Sequence, residues 1–596
     1  LLTLVAGVTR LAAIAKGPWD WDEVLFCLAV QHYDVAEHRP HPPGFPLHVL
    51  LGKIARLFAP SDFTALQAVN VLAGVAIVPV LFWLARGFRF RFETSAAIAF
   101  LFAFLPNVWF YGGTAFSDVP AMVFFLAAAA AFLNAGDSTR PFLIASALAG
   151  CAMLYRPQEA MVLGFPWLLA VSRLIRAKNR RALAWGVVTT IVIVSIGYGA
   201  AIGLTGFDRY LNVVKGHAAN VRATDSLGSP GRPPLSEAVW ILLDPYDAGK
   251  VSILVNLLAA AGIVLGVRRR VAQILLTFVP VFVFTLIATH PAGSSRMSLA
   301  FIAGIVLLAA EGAMIAERWW PRAGQVFAGV LFALILGRFV TWTYPAFRLP
   351  GTTNPPQVQA MLWLRQHVDG RVPIVSDHSI DPWVRYYLAD RATVRFEDVF
   401  SKPLGRDLGE SWFVAVGRPG ARNAIRFERA RDRAWNIVTQ RGFEAFVQPF
   451  SGIARFGEGW YMAEENGVEH WRWAAQTSSM ELPPMRGRRA ITMALTVPTE
   501  VLHAVELEFV FNGALVRTVP VATRDATVRI FVEPRAGQTN VLKVVSSKAF
   551  VPAKLGNSDD MRELAWMLRS WQIDPAPALA PPVPATPQEP RLRRAG

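Results

Sequence analysis

Three carboxylates, Asp20, Asp22 and Glu23, crowd into the stretch WDWDEVLF at residues 19–26, directly after an apolar opening run. An ionised group beside hydrocarbon pairs, protonates or works. The work open to a carboxylate there is to take a proton from a hydroxyl as a general base. Side chains adjacent on a helix point about 100° apart, so one of Asp22 and Glu23 is expected to face a reaction centre while the other braces the loop or holds a cation. Asp22 is the favoured base, with Glu23 beside it in the catalytic pair. The competing reading makes these acids simple helix caps or solvated groups.

The next stretch, HRPHPPGFPLHVLLGK at 38–53, is a rigid turn, because Pro42, Pro43 and Pro46 fix φ and Gly44 permits a tight bend. His38 and His41 have the chemistry to bind a phosphate or a metal, although a loop histidine is more often exposed or hydrogen-bonded. Asp118, in GGTAFSDVPAMVF, opens an apolar run with Ser117 before it and Pro120 two residues on. Its first expected role is the helix N-cap, its second a supporting acid near Asp22. Arg156 in LYRPQEA and Arg296 in THPAGSSRMSLAF stand in very short loops. A planar guanidinium gives a phosphate charged, bidentate hydrogen bonds, and the plain alternative is snorkelling toward lipid headgroups. His290 flanks Arg296, and Lys215, His217, Arg222 and Arg232 gather in the stretch 205–250, read as a long polar loop able to cover a lipid-phosphate substrate.

Membrane-length segments must carry these groups. Hydrophobic residues make up 53% of the 596 and charged ones only 17%, which disfavours a wholly soluble chain. Apolar runs near 1–16, 64–85, 94–110, 118–134, 141–155, 157–172, 183–204, 251–266, 271–289, 297–316 and 323–341 give about eleven candidate transmembrane helices. Laid alternately across a bilayer, they put Arg86, Arg89, Arg91, Arg140, the run RLIRAKNRR at 173–181, Arg268 to Arg270, Arg318 and Arg322 on one side, the cytoplasm. The opposite side receives the acidic cluster, the YGGTAFS turn, the stretch 205–250, the HPAGSSR turn and everything after 341. Much of the net charge of +16 lies in the loops between spans, so nucleic acid is not an expected partner. Cys27 and Cys151, the only cysteines, sit in or beside apolar runs and form neither a disulfide framework nor a cysteine metal site. The sequence opens on Leu1 within an apolar run, and the first span is expected to be truncated. LHVLLGKIARLF at 47–58 spaces His48, Gly52 and Arg56 four apart, a basic stripe on a short amphipathic helix suited either to the headgroup layer or to packing on other loops.

From 342 to 454 helix-like and strand-like stretches alternate, as a small α/β segment does. From 455 to 573 short β runs, with a hairpin signal at Asn512-Gly513, indicate a β-sandwich closed by a helix, DDMRELAWMLRSW at 559–571, capped by Asp559 or Asp560. Residues 574–596 are too rich in Pro and Ala to pack and are expected to be a disordered tail. The fold class is a polytopic α-helical membrane protein over 1–341, followed by a soluble α/β segment and a β-sandwich.

The acidic pair after the first span, PHPPGFPL leading into a juxtamembrane helix, Ser117-Asp118 with Pro120, YRP at 155–157 and SSR at 294–296 together resemble the GT-C class of membrane glycosyltransferases. Within that class the chain resembles bacterial relatives of the protein O-mannosyltransferases and of the aminoarabinose transferase that modifies lipid A, over roughly residues 15–300. The resemblance implies a multi-pass protein of the bacterial inner membrane with a periplasmic active site and C-terminal region. It implies a polyprenyl-phosphate-linked sugar as donor, a lipid, glycan or protein acceptor, and a catalytic carboxylate in the first outer loop, here Asp22 with Glu23 adjacent. Late outer arginines would hold the donor phosphate, a role carried onto Arg296, helped by Arg156 or Lys215. Transfer would invert the sugar's configuration. No cofactor is required, and a divalent cation is optional. The truncated start and the Trp-flanked cluster depart from the family's pattern, leaving open whether Asp20 or Asp22 is the aligned base. The tail, through GEGWYMAEENGVEHWRW at 457–473, is similar to sugar-handling β-sandwiches attached to such enzymes. Two other functions need some of the same residues: a transporter or flippase for a lipid-linked sugar, which needs the arginines but no base, and a non-catalytic polysaccharide-assembly protein acting through its β-sandwich.

Overall fold

The computed structural model describes residues 1–11, 14–229, 232–244, 250–290, 295–315, 317, 320–347, 351–395, 410–417, 424–429, 444–451, 455–465, 470–482, 485, 487–535, 538, 540–556 and 558–576. Contacts divide the chain into two units: Leu1–Leu362 with Arg385–Tyr387 and Phe427–Ala445, and Trp363–Val384 with Leu388–Arg426 and Phe446–Gly596.

The first unit is helical. Its opening eleven helices are α1 Leu2–Leu11, α2 Trp21–Gln31, α3 Pro46–Arg56, α4 Asp62–Gly87, α5 Phe92–Ala103, α6 Pro106–Tyr111, α7 Asp118–Asn134, α8 Thr139–Met153, α9 Gly164–Arg176, α10 Arg180–Thr205 and α11 Phe207–Thr224. Helices α4 and α10, with Arg268–Ala288 and Ser295–Ile315, are long and apolar enough to cross a membrane, and six shorter helices are also apolar. A span in lipid satisfies its backbone internally and can turn apolar side chains outward. Accordingly α10 exposes Trp185, Ile191 and Ile196. The centre of the unit is α7, buried along nearly its whole length and packed on α4 and α8.

Three stretches differ from the sequence expectation. The run 94–110 is two helices, because Pro106 offers no N–H to continue α5 and holds Leu105 extended at ψ 136. The run 157–172 begins as a 3-10 turn, Pro157–Leu163, before α9. The stretch 205–250, read as a polar loop, is largely helical: α11 and then Leu235–Leu243. Helix α11 has no fully buried residue, so its pattern lacks the apolar stripe that marks a packed helix.

Past residue 370 the described residues form three five-stranded sheets. One runs Thr393–Arg395, Ile374–Ser376, Glu410–Val416, Glu444–Ser451, Ile425–Glu428, with its first three strands parallel. The other two share one apolar core that includes Met480, Met493, Phe509, Leu542 and Trp566. Val505–Phe511 pairs with Ala514–Val521 through Asn512 and Gly513, both at the positive φ a two-residue hairpin turn requires. The helix expected at 559–571 is not there. Asp560 instead accepts the backbone N–H of Arg562, and Trp566–Pro575 is a strand paired with Arg489–Thr496 and His470–Ala474. Trp566, Leu568 and Ile573 are buried while Ser570 and Gln572 are exposed, a strand's alternation broken by a bulge rather than a helical face. The tail read as disordered lies outside the described residues from 577 on.

Candidate active site

Two of the three clustered acids serve the backbone. Asp20 is the N-cap of α2 and accepts the N–H of Asp22 at 3.1 Å, while Glu23 reaches back to the N–H groups of Trp19 (3.0 Å) and Asp20 (3.2 Å), a capping box. The other oxygen of Glu23 accepts the N–H of Ala115 at 2.8 Å, so this fully buried carboxylate ties α2 to the loop before α7. Burial, with the Asp22 charge added, pushes Asp20 up to about 6. Burial pushes Glu23 up to about 8 against its three N–H donors, which favour the charged form. Glu23 is thus a brace and does not face the other site residues.

Asp22 has no capping task. Its Oδ2 accepts Arg296 Nη2 at 2.6 Å, and its Oδ1 lies 3.7 Å from His41 Nδ1. Burial would raise its pKa, but the Arg296 guanidinium, and then His41, hold it well below the usual carboxylate range.

The turn that delivers His41 is rigid, as its prolines foretell. Asp34 and Arg39 exchange backbone hydrogen bonds at 2.8 and 2.9 Å. Gly44 sits at φ +104, where a Cβ would come 2.3 Å from Tyr33 Oη, and Tyr33 donates to the Gly44 carbonyl at 2.9 Å. The His41 ring then packs on Phe45 and Phe26, with centroids at 4.7 and 5.5 Å. Helix α3 follows, packed on the rest of the unit through His48, Val49 and Gly52. His48 and Gly52 face inward, with His48 Nε2 3.2 Å from the Ala115 carbonyl, while Leu57 and Phe58 just past its end are 78% and 87% exposed. Arg56 folds back onto Asp62 at 3.1 Å and Lys53 donates to the Val30 carbonyl, so the basic groups hold the protein together and the apolar side is outermost.

Asp118 does not cap α7; Ser117 occupies that position without a side-chain hydrogen bond. Asp118 bridges two cations instead: its Oδ1 meets Arg156 Nη2 at 2.9 Å and its Oδ2 lies 3.8 Å from Arg296 Nη1. Arg156 also approaches Glu159 (3.9 Å), and Arg296 lies over the Phe116 ring at 4.7 Å. The order Asp22, Arg296, Asp118, Arg156 is therefore continuous. The loop 112–117 beneath it is held by Glu23 and His48 at Ala115, by Gln67 at the Gly113 carbonyl (2.9 Å) and by Asn70 at the Phe116 carbonyl (2.6 Å). Gln67 and Asn70 were missed, although two amides three apart inside an apolar span are a signal for a buried polar task.

Lys215 is exposed on α11, and His290 lies beyond the end of helix Arg268–Ala288; among the described residues neither pairs with the cluster. Helix α11 contributes His217, whose ring centroid is 6.4 Å from that of His41. Among the described residues no group of three or more His, Cys, Asp or Glu is arranged to hold a metal ion.

No protein-family model matches the sequence, and no curated protein matches it. Among solved structures, the chain is similar to ArnT from Cupriavidus metallidurans bound to undecaprenyl phosphate, with a TM-score of 0.50 and 13% identity over 75% of this chain and 97% of that one. The same protein in the apo state gives 0.48 and 14% over 69% and 91%. The arabinofuranosyltransferase AftD from Mycobacteria gives 0.40 and 11% over 96% and 60%. The first likeness shows a fold shared with that ArnT structure.

Proposed function

We propose that this chain is a membrane glycosyltransferase that moves a sugar from a polyprenyl-phosphate carrier to an acceptor hydroxyl. The observation that carries this is Asp22: the one acid of its cluster spared from capping, lying against Arg296 in line with a second arginine. Arg296 and Arg156 are the seat for the carrier's phosphate, with Asp118 fixing the distance between them. The undecaprenyl phosphate in the ArnT structure supports a polyprenyl carrier. Loop charges favour an active site on the outer, periplasmic face of the inner membrane. The acceptor is a hydroxyl of a lipid, glycan or protein.

In this mechanism the acceptor oxygen attacks the anomeric carbon as its proton passes to Asp22. The bond from that carbon to the phosphate oxygen breaks, its electron pair stays on the phosphate, and the configuration inverts. General-base help of this kind is typically worth ~10²–10⁴ in rate. A carboxylate held by a guanidinium is a poor base, so the ion pair at 2.6 Å gives donor binding a second consequence. A phosphate that engages Arg296 takes it from Asp22 and restores the basicity of the carboxylate. The arginines then stabilise the departing charge where water is scarce.

The test is Asp22→Asn in proteoliposomes. The variant is expected to insert and to bind undecaprenyl phosphate, yet to transfer labelled sugar from an added polyprenyl-phosphate-linked donor ~10²–10⁴ times more slowly. Turnover at the wild-type rate would remove Asp22 from the role.

A further inference from the structure

Resting on Asp22 as the base, we infer that His41 and His217 form the path by which its proton leaves the site. Each turnover deposits one proton on a carboxylate that is largely enclosed, with only 18% of its side chain exposed. That proton must go before the next acceptor arrives. On the side of Oδ1 the group placed to take it is His41, with Nδ1 3.7 Å from Asp22 Oδ1 and no hydrogen-bond partner for that nitrogen among the described residues. Beyond His41 stands His217, at a ring separation that leaves space for one water. His217 is half-buried, and it belongs to a helix with no fully buried residue. The sequence of groups therefore runs from the enclosed site to a half-buried histidine on a helix that solvent reaches.

The spacing of the two rings is built in. Arg209 pairs with Asp34 at 2.9 Å and Tyr210 donates to the Pro43 carbonyl at 2.9 Å, so α11 is fastened to the turn that carries His41. Tyr210 and His217 are seven residues apart, about two helical turns, and share a face. The charged groups acting on His41 are Asp22, Arg296, Arg156 and His217, and those acting on His217 are Asp22 and Asp225. Burial holds His41 down at about 4, which keeps it neutral and able to accept. Asp22 lies lower still while Arg296 holds it, so return of Arg296 after phosphate release drives the proton outward. The balance is simple. The proton moves from Asp22 to His41 Nδ1, His41 releases one from Nε2 through water to His217, and bulk solvent takes it there.

Full-length His217→Gln and His217→Ala variants test this in proteoliposomes beside Asp22→Asn. Single-site loss of the relay is expected to lower turnover about tenfold, below the full general-base effect, with binding of undecaprenyl phosphate unchanged. Free imidazole is expected to restore His217→Ala, because a small diffusing base fits the vacated place. Wild-type turnover in His217→Gln while Asp22→Asn is inactive would overturn the relay and leave the base reading standing. Loss of turnover that imidazole fails to restore would also overturn it, as a purely structural effect. An active Asp22→Asn would overturn the base reading instead.

Discussion

Arg270 pairs with Glu311 at the start of helix Arg268–Ala288, while past the other end of that helix Arg296 pairs with Asp22 and approaches Asp118. The residue types match, but the surroundings do not. Glu311 also accepts the Val267 N–H at 2.7 Å, and Arg270 also donates to the carbonyls of Phe88 (3.0 Å) and Arg89 (3.2 Å) and lies 4.5 Å over the Phe90 ring. That pair has partners all round. In the outer network Asp118 Oδ2, Arg156 Nε and His41 Nδ1 are buried with no hydrogen-bond partner among the described residues. Buried polar atoms are normally satisfied. A closed network is architecture, whereas one with spare donors and acceptors at its centre has room for a polar ligand.

The contrast is sharpest in paired substitutions. Glu311→Ala takes the carboxylate from a largely enclosed guanidinium and is expected to cost about 3 kcal/mol, read as a fall in the thermal midpoint in detergent. Asp22→Asn, which keeps an oxygen acceptor for Arg296, should lower that midpoint by less than Glu311→Ala does, while transfer falls by ~10²–10⁴. Equal stability losses in both would erase the distinction. Gly44→Ala comes next. The Cβ would meet Tyr33 Oη at 2.3 Å and the backbone stays at φ +104, a strain of about 1–3 kcal/mol. Lower transfer with undecaprenyl phosphate still bound would locate the damage at the His41 turn; an unchanged rate would show that the turn tolerates it.

The smallest effect is one of pH. Arg296 depresses Asp22 in the free enzyme, so the ionised base persists as pH falls, and the acid limb of kcat/KM should lie below the usual carboxylate range. Once phosphate holds Arg296 the depression is relieved and Asp22 protonates at higher pH. The acid limb of kcat is therefore expected about one unit or more above that of kcat/KM. Coincident limbs would mean that Arg296 stays with Asp22 throughout. For stability the sign follows the depressed value: the Asp22 pairing contributes above the ordinary Asp range and is lost as pH falls through the folded value.

What the sequence made legible was local. The prolines and Gly44 announced a rigid turn, the Asn512-Gly513 dipeptide a hairpin, and two arginines in short loops a charged cluster, which they form with Asp22 and Asp118. What stayed hidden depended on partners far along the chain. Nothing near Glu23 says that its second oxygen will meet the Ala115 N–H, or that Arg296, 274 residues away, will choose Asp22 over Asp20. Helix α11 was hidden for a related reason, since a helix tethered by Arg209 and Tyr210 rather than by an apolar stripe has the composition of a loop. Residues 566–571 were read as the end of a helix because the bulge in their strand blurs a two-residue period. His290 and Lys215 were chosen for lying near the right loops, and among the described residues neither pairs with the cluster.

The central claim is that a carrier's phosphate takes Arg296 from Asp22. A structure of the protein with undecaprenyl phosphate bound tests this most directly. The phosphate is expected on Arg296 and Arg156, with Asp22 withdrawn from the guanidinium and closer to His41. A phosphate bound elsewhere, with the Asp22–Arg296 pair still at hydrogen-bonding distance, would contradict it.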